Sequence, residues 1–228
     1  MTAAIELLAP AQTNLRLYED LRGADRGADE LLAARRAYDL AARLFAGQYR
    51  ATGKPFVAHL VGVASIVARL DQRGAMIVAA LLHAAYDQGV FPGWRRAVTD
   101  AKRATVRAVA GEEAEHLVFR YHRHDEADGD VVLLRAANDL EDLVDLAGAY
   151  CAKPYGGAER AAARATALGY PTLAEALTRA LEANRAARLP AGLASDRHRS
   201  FLVEPATFRE KVEIRVGRRL AGLWKRLS

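Results

Sequence analysis

Apolar residues recur along most of the chain at the three- and four-residue spacing of amphipathic helices. This spacing predicts ten helices, at about residues 14–22, 28–46, 56–70, 75–86, 98–110, 112–121, 131–150, 158–168, 172–188 and 205–227. The segment 75–86 is apolar on all sides, which is typical of a helix at the centre of a domain. No segment alternates between apolar and polar residues as a strand does. We therefore expect an all-α fold of about nine or ten helices.

Glycine and proline mark the breaks between these helices. Gly53 and Pro55 predict a turn over residues 49–55. Pro190, Gly192 and Ser195 make residues 189–199 the best candidate for a linker. We expect one helical domain over residues 1–188. Residues 189–228 are expected to form the linker and a basic amphipathic helix, which packs on the same domain or on a second subunit.

Composition narrows the class of protein further. Hydrophobic residues make up 51% of the 228 residues and aromatic residues 7%, which favours helices over strands. The single cysteine, Cys151, excludes an internal disulfide framework and a cysteine-rich zinc site. A net charge of +5 is too modest to indicate nucleic-acid binding. The chain has no apolar stretch of membrane-spanning length, and the N-terminal segment carries Glu6 and lacks a basic lead-in, so we expect a cytoplasmic protein.

Two motifs carry a resemblance to a known family. The first reads Gly-Gln-x-Arg-x-x-Gly-x-Pro-Phe-x-x-His over residues 47–59, and the second reads Ala-Ala-Leu-Leu-His over residues 79–83. A third segment, residues 135–143, follows at a suitable distance. Together they resemble the hydrolase domain of the RelA/SpoT homologue family, which cleaves guanosine tetraphosphate. The resemblance implies an orthogonal helical bundle of the HD-domain type.

In that family, two histidines and two aspartates hold a divalent metal that activates water for attack on phosphorus. The aligned positions here are Phe45, His83, Ala84 and Asn138, so the resemblance implies that one strong ligand remains. We therefore expect neither a metal nor another cofactor. Two alternatives stay open: a shift in register would make Asp139 a ligand, and replacement ligands could come from other histidines, namely His59, His116, His122 and His124.

A closer resemblance is to an uncharacterised family of HD-derived proteins. It rests on His-Leu-Val-Gly at residues 59–62, His-Ala-Ala-Tyr at residues 83–86 and Gly-Glu-Glu-Ala-Glu at residues 111–115. No activity is assigned to that family. The resemblance implies that loss of the HD aspartate is shared by its members.

The candidate ligand-binding residues follow from the first and third motifs: Gln48, Arg50, Lys54, His59 and Asn138. In the resembling hydrolases the arginine at position 50 lies in the nucleotide pocket, and a guanidinium suits phosphate or a base. For Gln48, Arg50 and Lys54 a solvated surface role is the alternative. For His59 it is a capping or core role. We expect His83 to be buried, with Asn138 as its hydrogen-bond partner.

Two further groups of polar residues have chemical potential. His83, Tyr86 and Asp87 are candidates for metal-independent acid–base catalysis, because His83 and Asp87 are four residues apart on one predicted helix. An acidic run, with Asp139, Glu141, Asp142 and Asp145, is interpreted as a solvated face or as a site for a cation or basic partner.

These observations favour a catalytically degenerate HD-like protein that binds a phosphorylated or nucleotide-like small molecule or acts as a regulatory module. A metal-independent enzyme of a biosynthetic pathway is the first alternative. A metal-dependent phosphohydrolase with replacement ligands is the second. A pure interaction protein, which forms a homo-oligomer through the C-terminal helix, is the third.

Overall fold

A computed structural model describes residues 3–92, 97–151, 156–190, 192–195, 197 and 199–203. The first half of the chain forms six helices and a short strand: α1 (Ala3–Leu7), α2 (Asn14–Gly23), α3 (Ala28–Leu44), β1 (Gln48–Tyr49), α4 (Phe56–Arg69), α5 (Gly74–Leu82) and α6 (Ala85–Gln88). The second half forms α7 (Asp100–Ala110), α8 (Glu112–His122), α9 (Gly129–Val144), α10 (Ala147–Tyr150), α11 (Gly156–Ala167), α12 (Pro171–Ala186) and β2 (Phe201–Leu202). The all-α prediction is confirmed. The predicted helix over residues 205–227 lies outside the described residues.

Helices α4 and α5 form the centre of the bundle. Every residue from Met76 to Leu82 is buried, and α4 buries most of its length as well. Helix α4 packs against α5 and α9, whereas α5 also contacts α3 and α8. The expected central position of the all-apolar segment is therefore confirmed. No helix in the described part of the chain is long and apolar enough to cross a bilayer.

Two of the predicted long helices are each broken into two. The helix expected over residues 75–86 ends at Leu82, and a short helix resumes at Ala85. The helix expected over residues 131–150 ends at Val144, because Leu146 has a left-handed backbone with a φ of 54°. The residues at the two breaks, His83 and Ala84 in the first and Leu146 in the second, are neither glycine nor proline. The sequence pattern therefore carries no signal for these breaks.

A two-residue antiparallel ribbon was not predicted. Gln48 pairs with Leu202 and Tyr49 pairs with Phe201, and the ring of Phe201 stacks on Tyr49 at 5.6 Å between centroids. The amide of Val203 also donates to the carbonyl of Gly47 at 2.9 Å. Segments this short have no alternation that could reveal them. The ribbon brings residues 199–203 against the turn that follows β1.

Helices α4 and α9 approach closely at Gly62. A Cβ placed on Gly62 would lie 2.5 Å from Oε1 and 2.7 Å from Cγ of Glu141 on α9. Real Cβ atoms do not tolerate such distances, and the Glu141 side chain is fully buried, so it has no free space to move into. Glycine at this position therefore makes room for a buried carboxylate.

We expect Gly62→Ala to lower the free energy of unfolding by about 3 kcal/mol, because the added methyl group overpacks the α4–α9 contact. Urea denaturation followed by circular dichroism measures the change. Gly23→Ala is the matched control: it is also helical, and nothing lies within 4 Å of its added Cβ. The control should be neutral or slightly stabilising. Equal effects of the two substitutions would contradict the steric interpretation.

Candidate functional site

The turn after β1 has the geometry that its glycine and proline predict. The amide of Arg50 donates to the carbonyl of Lys54 at 2.8 Å, and the amide of Gly53 donates to the carbonyl of Arg50 at 2.9 Å. Gly53 has a φ of 86°, which glycine adopts without strain. Pro55 then precedes helix α4. The turn thus holds the side chains of Arg50 and Lys54 over helix α9.

Helix α9 and the residue that follows it, Asp145, meet this turn with three carboxylates. The Nη2 group of Arg50 donates to both carboxylate oxygens of Asp142, at 2.7 Å for Oδ2. The Nζ group of Lys54 contacts Glu141 and lies 2.9 Å from Oδ2 of Asp145. The sequence leaves two interpretations of this acidic run open, a solvated face and a site for a cation or basic partner, and for these three residues the solvated face is wrong. Their partners are cations from the chain itself.

His59 completes the contacts of Glu141. Its Nδ1 atom is hydrogen bonded to Oε2 of Glu141, and both side chains are essentially inaccessible to solvent. Burial alone would raise the pKa of Glu141, but His59 and Lys54 outweigh it and lower that pKa. The carboxylate is therefore charged, and the Nδ1–H group of His59 donates to it. We call these six residues the ion cluster: Arg50, Lys54, His59, Glu141, Asp142 and Asp145.

His83 lies next to the ion cluster and is also buried. Its ring is 5.5 Å from that of His59 and 5.0 Å from that of Tyr121 between centroids. The Nδ1–H group donates to the carbonyl of Ala80 at 2.8 Å, whereas the amide of Asn138 donates to Asp139. The expected hydrogen bond between His83 and Asn138 is therefore wrong. Burial, followed by the proximity of His59, lowers the pKa of His83 to about 3. The imidazole is therefore neutral at physiological pH.

The four positions that the HD resemblance assigns to a metal do not fit a divalent ion. Phe45 is buried and stacks on Phe56 at 4.6 Å, Ala84 has no donor, and the amide of Asn138 contacts Asp139. A different group of metal-binding residue types, namely His59, Glu141 and Asp142, has ligand atoms within 4.8 Å of one another. However, Lys54 and Arg50 already neutralise its two carboxylates. Within the described residues, the Nε2 atom of His59 is buried without a hydrogen-bond partner.

The three residues proposed for acid–base catalysis do not converge. The hydroxyl of Tyr86 donates to the buried carboxylate of Glu115 at 2.7 Å, and burial together with this carboxylate raises the pKa of Tyr86. Asp87 pairs with Nδ1 of His122 at 2.6 Å. The expected pairing of Asp87 with His83 is therefore wrong, because the helix is interrupted between α5 and α6.

Gln48 has a connecting role in this region. Its side-chain amide donates to the carbonyls of Leu44 and Gln88, at 3.1 and 3.0 Å. These bonds join the ends of α3 and α6 to the ribbon. Gln48 therefore has a structural role, because it fixes the start of the turn against the ends of α3 and α6.

A cleft of about 380 Å³ opens beside the ion cluster. It is lined by Arg50, Ala51, Thr52, Gln88, Asp142, Ala147, Cys151, Arg199 and Ser200. In the described part of the structure, the Nε and Nη1 groups of Arg50 have no protein partner, and neither has the guanidinium of Arg199. The Thr52 hydroxyl is buried and has no hydrogen-bond partner among the described residues. Two arginines with N–H groups left over thus line the cleft, from two separate segments of the chain.

The fold and site define an all-α protein with a buried ion cluster at one wall of a polar cleft. Residues 40–125 match the model of a family described as a domain of unknown function, DUF6817. The matched segment runs from within α3 to just beyond α8. It therefore includes Arg50, Lys54, His59 and His83, whereas the carboxylates on α9 lie outside it. No curated protein matches the chain.

The sequence predicts one site for Arg50, Lys54 and His59. It does not predict their carboxylate partners, Glu141 and Asp142, or the other wall of the cleft, which Arg199 and Ser200 form. For Glu141 the sequence favours a solvated face and leaves a cation or basic-partner site as the alternative. The side chain is buried instead, in space that Gly62 leaves open because it has no Cβ. Arg199 lay in a presumed linker. Its position depends on the ribbon, which has no signal in the sequence.

We expect Lys54→Met to lower the free energy of unfolding by about 3 kcal/mol, because it leaves a buried carboxylate short of positive charge. The side chains of Lys54 and Glu141 are 10% and 1% exposed. The double variant Lys54→Met with Glu141→Gln should be less destabilised than the sum of the single variants. Urea denaturation of all four proteins measures this coupling, and strict additivity would contradict the pairing.

The neutral state of His83 predicts a pH dependence of stability. Its folded pKa of about 3 lies below its ordinary value of 6.5, so the unfolded state binds more protons between these two values. Stability from this group is complete above pH 6.5 and is lost as the pH falls, at up to about 1.4 kcal/mol per pH unit.

In thermal unfolding between pH 6.5 and 4.5, His83→Gln should therefore show a shallower decline of the free energy of unfolding than the native chain. His116→Gln, an exposed histidine on α8, serves as the control and should keep the native slope. An unchanged slope in His83→Gln would mean that His83 is protonated in the folded protein.

Proposed function

We propose that this protein binds a small phosphorylated or nucleotide-like molecule in the cleft between Arg50 and Arg199. It acts as a ligand-binding or regulatory module on an HD-like helical scaffold, without metal-dependent phosphohydrolase activity. The match to a family of unknown function is compatible with this proposal and adds no ligand to it.

One observation carries the proposal. Two arginines line the same cleft, Arg50 from the turn after β1 and Arg199 from the segment before β2, and among the described residues each has guanidinium N–H groups without a protein partner. A guanidinium presents a planar fork of N–H groups that matches the oxygens of a phosphate. The volume of about 380 Å³ is in the range of small-molecule sites.

The surroundings of Arg50 support binding at a preformed site. Asp142 holds one nitrogen of the guanidinium, and the carbon Cζ lies 5.3 Å from the centre of the Phe56 ring. The side chain is therefore fixed before a ligand arrives, which lowers the entropic cost of binding. The resemblance to RelA/SpoT-type hydrolases supports the same role, because it places the arginine at position 50 in a nucleotide pocket.

The other candidate ligand-binding residues support the cleft indirectly. Lys54 and His59 bind Glu141 and so hold α9 against the turn, whereas Gln48 fixes the carbonyl of Gln88. Asn138 contacts Asp139 and does not line the cleft. Of the five candidates, Arg50 is the one that lines the cleft directly.

We expect phosphorylated ligands to raise the melting temperature, because binding to the folded state stabilises it. Inorganic phosphate, GMP, GDP and unphosphorylated guanosine are suitable probes in thermal-shift and calorimetric titrations. Arg199→Ala should weaken binding of the phosphorylated ligands at least about tenfold, since a hydrogen bond to a charged group contributes about 1.5–3 kcal/mol.

Arg179→Ala removes the same charge from the exposed face of α12 and should leave affinity unchanged. Equal losses in the two variants would indicate a non-specific charge effect. Binding of guanosine as tight as that of GMP would contradict phosphate recognition. Stoichiometric manganese, iron or zinc in protein purified without chelator would favour the metal-dependent hydrolase instead.

A further inference from the structure

Among the described residues that line the cleft, one carboxylate accompanies the two arginines. Asp142 lines the cleft together with Arg50 and Arg199, and the Asp142 side chain is 16% exposed. Of the three carboxylates of the ion cluster, Asp142 is the one that lines the cleft. This carboxylate holds the Arg50 side chain in place, but its negative charge also repels a simple anion in the cleft.

Asp142 and a bound phosphate would share the guanidinium of Arg50. Both hydrogen bonds to Asp142 come from Nη2, so among the described residues Nε and Nη1 are left for a ligand. These two groups lie on different edges of the guanidinium, so a single phosphate would accept from one of them. A phosphate on either donor would lie roughly 5 Å from the carboxylate, a separation at which like charges repel in a partly buried site. An anion without hydrogen-bond donors has no means of offsetting this repulsion.

A ligand that carries hydroxyl groups next to its phosphate can form a hydrogen bond with the same carboxylate. Its hydroxyl donates to Asp142, and the repulsion is offset by a charge-assisted hydrogen bond. A site that couples attraction for one ligand with repulsion of its competitors gains specificity from both.

We propose that Asp142 is a specificity-determining residue that selects hydroxyl-bearing phosphomonoesters, such as sugar phosphates and phosphorylated polyols, over anions without donors. This inference rests on the proposed function of the cleft. It names the chemical class of the ligand, which is a phosphate flanked by hydroxyl groups.

Glycerol 3-phosphate and propyl phosphate are matched probes, because they share a three-carbon skeleton and a phosphate and differ in two hydroxyl groups. At pH 8 both are dianions. Calorimetric titration of the full chain should show about a tenfold preference for glycerol 3-phosphate, as expected for one hydrogen bond to a charged group. Asp142→Asn should reduce the preference to about twofold or less, by strengthening propyl phosphate binding and weakening that of glycerol 3-phosphate.

Asp142→Glu keeps the charge and should keep the preference. Asp39→Asn, an exposed aspartate on α3, is the control for the charge change and should behave as the native chain. Asp142→Ser also removes the charge and should lose the preference. If Asp142→Asn does not fold, the Asp142→Ser variant is compared with the native chain instead.

The outcomes separate the two proposals. Binding of neither probe by the native chain would overturn the proposed function itself. Equal binding of both probes would overturn the role of Asp142 and leave phosphate binding intact. A preference that survives in the folded Asp142→Asn or Asp142→Ser variant would mean that other groups recognise the hydroxyls.

Discussion

The buried carboxylate of Glu141 is the interaction on which the rest of the site depends. A charge without access to solvent is tolerated only where opposite charges and hydrogen bonds surround it. Here His59 and Lys54 provide them, and Gly62 provides the space. These three residues lie on the turn after β1 and on α4, so the requirement to neutralise Glu141 holds that part of the chain against α9.

The position of the cleft follows from this constraint. With Lys54 held by Glu141 and Asp145, the turn presents Arg50 to the next carboxylate along α9, Asp142. Arg50 is thereby oriented with part of its guanidinium towards the cleft. The ion cluster thus has an inner part, which is structural, and an outer part, which is accessible to a small molecule. The proposed ligand chemistry depends on the outer part alone.

The helical class, the central position of α5 and the turn at Gly53 could be predicted from the sequence, because each follows from local periodicity or backbone preference. The carboxylates that bind the turn, Glu141, Asp142 and Asp145, could not be predicted as its partners. The same spacing that places Glu141, Asp142 and Asp145 on one face of a helix describes a solvated surface equally well, and burial is decided by what packs against it. The breaks at His83 and Leu146 depend on tertiary contacts, since neither residue is a helix breaker. His83 and Asp87 are consequently separated, although their spacing would bring them together on an unbroken helix.

The antiparallel ribbon has a consequence for the order in which the molecule is assembled. Its strands, near residues 48 and 201, are separated along the chain by helices α4 to α12. Closing so long a loop costs conformational entropy that two pairs of residues offset poorly on their own, so this contact is expected to form after the helices have packed. Arg199 and Ser200 belong to that late segment. The helical body can therefore be native while one wall of the cleft is still missing, and a ligand that bridges Arg50 and Arg199 would stabilise the contact between the turn after β1 and the segment before β2.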